Sequence, residues 1–330
     1  MTQNSPDAAP AASTPADPAR ERAIGGVYTF VAYLLWGFLP LYFVLLAPTG
    51  PFELVGWRIF LSLVFCVLLL TVTRGWKPLI AIIRRPRLLL LTGLAGAFIY
   101  INWQVFIVAA LSGHVIETSL GYFINPIATV ILAVVVLHER LRVAQWVAIG
   151  IAAAAVVVIV VGYGAFPWIA LTLAGSFATY GLIKKRIGPS VDALSGLTLE
   201  SAWLTPVALV LLVVTGAAGS FTYGQVSPWH TVLLTLAGAV TAIPLLFFAA
   251  GTRRVPLSVV GLLQFVAPIL QFLSGILILG EPMPAERWIG FSLVWVALIV
   301  LTVDSLAAAR RSRRAGKDAV PGVSDVAELT

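Results

Sequence analysis

Three charged residues stand where charge is costly. Arg58, Glu117 and Glu200 lie inside long apolar runs of a 330-residue chain that is 60% apolar and only 11% charged. A charge at the centre of a bilayer costs roughly 2.5–3.5 kcal/mol on insertion scales, so such groups tend to face a cavity or a partner. Arg58 and Glu117 sit at similar depths near the same end of their runs, which makes them candidate partners. Each has a plainer alternative: a long Arg can snorkel to the headgroups, and a Glu at a helix start complements the macrodipole. Glu200 is the candidate proton-coupling group, a carboxylate that could carry a proton through lipid. Its plainer alternative is a structural carboxylate bonded to neighbouring helices.

Polar and aromatic side chains gather at the same levels. Asn102 and Gln104 flank Trp103; Tyr122 and Asn125 share one helix face, as do Gln264 and Gln271. Interhelical hydrogen bonding explains such residues without a ligand. The expected cavity wall is Tyr33, Trp36, Arg58, Asn102, Trp103, Glu117, Tyr122, Asn125, Tyr180, Glu200 and Gln264, and its aromatic rings suit flat or amphipathic solutes and organic cations. Trp168, Trp229 and Trp288 fit an interfacial belt instead. Pro126 and Pro268 are candidate hinges, because each removes a backbone donor within an apolar run.

Other chemistries lack their residues. The chain contains no GxxxxGK[ST] loop, no HExxH and no GxSxG. Its three histidines are far apart, and its one cysteine, Cys66, is isolated in an apolar run. No metal, cofactor or catalytic residue is expected.

These residues need apolar spans to hold them. Ten runs, near 26–46, 52–72, 88–110, 115–137, 144–162, 166–183, 193–214, 230–250, 258–279 and 288–307, are long enough to cross a bilayer. Nineteen of the 21 Lys and Arg fall in alternate gaps or the tails; only Arg58 and Arg287 do not. Basic residues collect on the cytoplasmic side, so both termini are expected in the cytoplasm. That bias also accounts for the net charge of +7 without nucleic acid.

The chain also repeats itself. Pro126 to Glu139 and Pro268 to Glu281 are both 13 residues, and Trp146 and Trp288 follow each Glu by seven. The offset is 142 throughout, and it pairs Arg58 with Glu200; at a similar offset Trp36 pairs with Tyr180. Five spans per half is an odd number, so the halves must cross in opposite senses. Glu139 then ends its span inside and Glu281 ends its span outside. Inverted repeats with a midplane site are a mark of carriers.

Asn102-Trp103, the stretch Glu117–Pro126 and His138-Glu139-Arg140 resemble the RarD branch of the EamA group in the drug/metabolite transporter superfamily. The resemblance extends through Tyr33 to Pro40, Trp57-Arg58, Phe177 to Gly181 with Lys184-Lys185, Glu200 to Pro206 and Trp295, over about residues 24–310. His138 stands where Gly is commoner in that group. The resemblance implies an all-α integral membrane fold of ten helices in two inverted five-helix repeats, with helices five and ten at the periphery. It further implies movement of small solutes across a bacterial inner membrane, usually outward. The expected layout is a disordered tail at 1–23, repeats at 24–163 and 164–309, and a basic tail at 310–330. The expected partners are a small-molecule substrate and lipid, with no nucleic acid and the oligomeric state open. The leading expectation is a secondary transporter, an exporter of metabolites or amphipathic compounds working by alternating access. The alternatives are a non-transporting assembly partner or receptor, and a membrane-embedded enzyme.

Overall fold

The computed structural model describes residues 18–318 except 139–140, 164–165, 253 and 256. Glu139, Arg140, Gly164, Arg253 and the outer parts of both expected tails therefore lie outside the described residues. The described residues are helical with no strand. In chain order the helices are α1 (Pro18–Gly37), α2 (Leu39–Val44), α3 (Pro51–Val72), α4 (Trp76–Ile83), α5 (Pro86–Leu111), α6 (Val115–Leu137) and α7 (Val143–Tyr163). There follow α8 (Trp168–Ile187), α9 (Ala193–Ala217), α10 (Pro228–Thr252), α11 (Leu257–Leu263), α12 (Val266–Leu273), a π-helical turn at Ser274–Ile278 and α13 (Ala285–Asp318).

Local chemistry sets these boundaries. Pro51 and Pro86 open α3 and α5, where a missing N–H costs nothing. Asp192 caps α9 by accepting from the Ser195 N–H at 3.0 Å. Two boundaries differ from expectation: α1 begins at Pro18, inside the expected tail, and α13 runs on to Asp318. The gap after span two is partly helical too. In α4, Leu79 and Ile82 lie one turn apart and pack with Leu70, Ile187, Val191 and Leu199.

Among the described residues, seven helices (α3, α5, α6, α7, α9, α10 and α13) are long and apolar enough to cross a membrane. Many of their large apolar side chains face outward, among them Leu68, Val72, Val157, Val213 and Ile299. In a soluble domain such a surface would aggregate; in lipid it is solvated. α1 opens on Arg20, Glu21 and Arg22, α8 ends on Lys184-Lys185-Arg186, and the ninth apolar run is broken between α11 and α12.

Helix pairs pack in opposite directions. Along α3 and α9, Glu53 meets Thr222 just beyond α9, Gly56 abuts Leu212, Cys66 clusters with Leu197, and Leu70 clusters with Leu199. Along α7 and α13, Arg142 reaches Asp304 while Gly290 abuts Ile159. α6 runs against the broken stretch: Ile116 bonds Glu281, the Ser119 hydroxyl donates to the Pro268 carbonyl at 2.7 Å, and Phe123 stacks on Phe265. Gly121 lets α6 approach α8 closely, since a Cβ there would lie 2.8 Å from the Ala170 carbonyl oxygen.

Candidate functional site

The helices surround a cavity of about 370 Å³, mostly apolar but with polar and charged side chains in its wall, within the range of small-molecule sites. Its wall takes Tyr33 and Trp36 from α1, Arg58 from α3, Asn102 and Trp103 from α5, and Tyr122 and Asn125 from α6. α8 adds Phe177, Tyr180 and Lys184, and α10 adds Thr241 and Phe248. Gln264, Pro268 and Gln271 complete it from the break at α11–α12. Among the described residues, α7 and α13 contribute none to the lining, and the two helices pack on each other. A second hollow of about 550 Å³ lies beside α13, but Leu262, Ile269, Ile299 and Val303 in its wall face outward, so it is an apolar groove towards lipid.

Every residue expected in the wall lines this one cavity except Glu117 and Glu200. Glu117 is a correction. It is half-buried at the start of α6, beside the Glu281 carboxylate that accepts from the Val115 and Ile116 N–H groups. It makes no ion pair with Arg58, whose guanidinium instead bonds Thr241 and lies over Trp103. Depth along two helices placed Arg58 and Glu117 level, but they face different surroundings.

Arg58 is 4% exposed, which rules out snorkelling to the surface. Its Nε–H donates to the Thr241 hydroxyl at 2.6 Å, and that hydroxyl donates in turn to the Ala237 carbonyl at 2.8 Å. The guanidinium carbon lies 4.5 Å from the Trp103 ring centre and 5.5 Å from that of Phe43. These rings hold the guanidinium by cation–π attraction. Nη1 has no hydrogen-bond partner among the described residues.

Glu200 is buried just behind the wall, where it accepts from Lys184 Nζ at 2.7 Å and from the Tyr180 hydroxyl at 3.1 Å. Tyr180 and Lys184 are four residues apart on α8, so one helix face delivers both donors. Gly196 leaves room for them, because a Cβ there would stand 2.8 Å from Lys184 Nζ. Sequence reasoning counted Lys184 among the flanking basic residues and missed this role. Its spacing from Tyr180 was the available signal.

The amide groups divide into satisfied and free. Asn102 Nδ2 donates to the Leu173 carbonyl at 3.1 Å and to Ser176 Oγ at 3.2 Å, while its Oδ1 accepts from the Tyr122 hydroxyl at 3.0 Å. Gln271 Nε2 donates to the Trp36 carbonyl at 3.2 Å, which orients the amide and leaves Oε1 without a partner. Asn125 Oδ1 also lacks one. Pro126 and Pro268 have no N–H to offer the carbonyls of Tyr122 and Gln264, both in the wall. The chain breaks just before Pro268, between α11 and α12, whereas α6 continues through Pro126. Tyr33, Trp36 and Phe248 form one run of touching rings, and Phe106, Tyr122, Phe177 and Tyr180 another, with neighbouring centroids 5.4–6.0 Å apart.

One end of the cavity reaches Gly188, Val191 and Thr252, near the basic end of α8 and near Arg254 beyond α10. Outside the cavity lining, side-chain contacts tie distant segments together. Glu53 accepts from the Thr222 N–H and hydroxyl and from the Tyr223 N–H at 2.9–3.1 Å. Thr49 bonds Thr222 at 2.7 Å and His230 Nε2 at 2.9 Å. With the Glu281 clasp on α6, these contacts join segments far apart in sequence. These roles of Glu53 and His230 were not foreseen, since neither lies within a repeated motif.

Residues 23–161 match the EamA-like transporter family. The chain is 48% identical to Protein RarD of Streptomyces exfoliatus over 92% of its own length and 96% of that protein. It is 36% identical to Protein RarD of Escherichia coli K12, covering 90% and 99%. It is 40% identical to the uncharacterized transporter YojE of Bacillus subtilis, covering 88% and 97%. A solved crystal structure is similar in fold at a TM-score of 0.56, with 18% identity, covering 86% of this chain and 98% of that one.

The apolar helices and the transporter relatives define a multi-pass inner-membrane transporter of small molecules rather than an enzyme. Within that class the chain belongs to the EamA family, as a RarD-like member.

Proposed function

We propose that the chain is a ten-span carrier of two inverted five-helix halves that exports small amphipathic solutes by alternating access. α1 with α2, α8, and α11–α12 with the π-helical turn would supply the three spans beyond the seven apolar helices. The halves would then be α1–α7 and α8–α13. Contacts between helices support this, because they survive exchange of the halves. α5 packs on α8 as α10 packs on α1, and α3 packs on α10 as α9 packs on α5. The equivalent glycines Gly96 and Gly238, 142 apart, sit at these last two crossings, against Glu200 and Leu61. Equivalent helices that touch, α3 with α9 and α7 with α13, run antiparallel, as inversion requires.

The observation that carries the reading is the cavity itself, walled by residues of both halves; the two carboxylate clasps would close one end. The basic end would face the cytoplasm by the positive-inside rule, so solute would load from within, which fits export. Separation of the Glu53 and Glu281 clasps would open the other side, with the break before Pro268 the better-placed hinge and Pro126 its equivalent. Purified protein in liposomes tests this. The proposal expects saturable flux of small amphipathic solutes, lost when the outer end is cross-linked shut. Binding of a specific protein partner without flux of any solute would favour the assembly-partner alternative.

A further inference from the structure

We infer that the cavity binds a carboxylate carried on an aromatic or branched apolar body; this rests on the cavity being the transport site. Charge is the first argument. The charged groups at the wall are Arg58, Lys184 and, just behind it, Glu200. Lys184 and Glu200 neutralise each other at 2.7 Å. Arg58 has no carboxylate partner, so the pocket holds one uncompensated positive charge at a site 4% exposed. A buried charge left unpaired is strongly unfavourable, and a bound anion would relieve it.

Geometry is the second argument. Thr241 occupies Nε, and Trp103 and Phe43 fix the guanidinium, which belongs to the cavity wall and whose buried Nη1 has no partner among the described residues. A guanidinium edge matches a carboxylate in shape and donor spacing. The aromatic runs beside it favour a flat apolar body. They do not favour a cation, because Arg58 and Lys184 already stand over Trp103 and Tyr180. Simple acids and amino acids share the required carboxylate.

The test uses purified full-length protein, whose Trp36 and Trp103 report on the wall by fluorescence. The probes are phenylacetate, phenylacetamide, phenethylamine, phenylalanine and phenylalaninamide. Each acid should bind about tenfold or more tighter than its amide, the scale of one charge-assisted hydrogen bond. Phenethylamine should bind weakest. Either order of phenylacetate and phenylalanine supports the proposal and tells the two sources apart. Arg58→Gln should bring acid and amide to parity, while Arg58→Lys keeps a reduced preference. If Arg58→Gln does not fold, the wild-type panel alone decides. Amides or the amine binding as tightly as the acids, or no probe binding, would overturn the proposal. Flux of the same probes in liposomes separates the two claims. Flux of the amine or amide without the acid overturns the anion site and leaves the carrier standing. Acid binding without any flux does the reverse.

Discussion

Replacing Lys184 by Met tests the electrostatic design behind the cavity wall. The change keeps the aliphatic stem and removes the charge, leaving Glu200 buried with only the Tyr180 hydroxyl as donor. Removing one partner of a buried pair costs about 3–5 kcal/mol. Lys184 keeps 28% of its side-chain exposure against 2% for Glu200, so water screens part of the interaction. The loss then falls lower, at about 2–3 kcal/mol. Lys184→Met combined with Glu200→Gln removes both charges, and the double variant should regain about 1–2 kcal/mol relative to the sum of the singles. Denaturant unfolding in detergent, followed by tryptophan fluorescence, measures all four corners of the cycle. Additivity within about 0.5 kcal/mol would refute the reasoning, because it would mean the pair does not interact.

Three further outcomes follow from the same contacts. Arg58→Ala and Glu117→Ala should act additively on stability within about 0.5 kcal/mol, measured by the same unfolding assay, since the residues do not touch; strong coupling would restore the discarded pair. Gly121→Val should destabilise by about 1–3 kcal/mol, because its Cβ meets the Ala170 backbone and neither helix can yield cheaply; a neutral result in thermal unfolding would mean the crossing of α6 and α8 is looser than described. Glu200→Gln should reduce pH-gradient-driven flux in liposomes if this carboxylate carries the coupled proton, and an unchanged gradient dependence would reject that role.

Much of this architecture was legible because lipid leaves few choices. A span must be continuously apolar, so the seven longest apolar helices stand out, and polar residues within them mark the cavity wall. The Arg58–Glu117 pairing failed for a geometric reason. Sequence gives depth along a helix, whereas contact also depends on which way each helix is turned, and each residue rotates that direction by about 100°. Lys184 was hidden by its neighbours, since it reads as one of three flanking basic residues until α8 is seen to aim it at Glu200. Glu53 follows a Pro-rich loop and carries no repeat partner of its own kind, so nothing marked it as a clasp. The helix α4 was missed because its buried stripe is only Leu79 and Ile82. The break at Gln264–Phe265 had one signal, Pro268, whereas the equivalent Pro126 leaves its helix intact, so the proline alone did not tell the two apart.

The inverted arrangement is tested most directly by asking which side of the membrane equivalent loops face. With Cys66 replaced by Ala, single cysteines would be placed at Thr73 and Ser112 in the first half and at Ser190 and Ser220 in the second, all exposed positions between helices. A membrane-impermeant maleimide applied to sealed vesicles of known orientation should label Thr73→Cys and Ser190→Cys only from the cytoplasmic face, and Ser112→Cys and Ser220→Cys only from the opposite face. Labelling of Thr73→Cys and Ser220→Cys from the same side would mean the two halves share one orientation, and the shared cavity between inverted copies would be wrong.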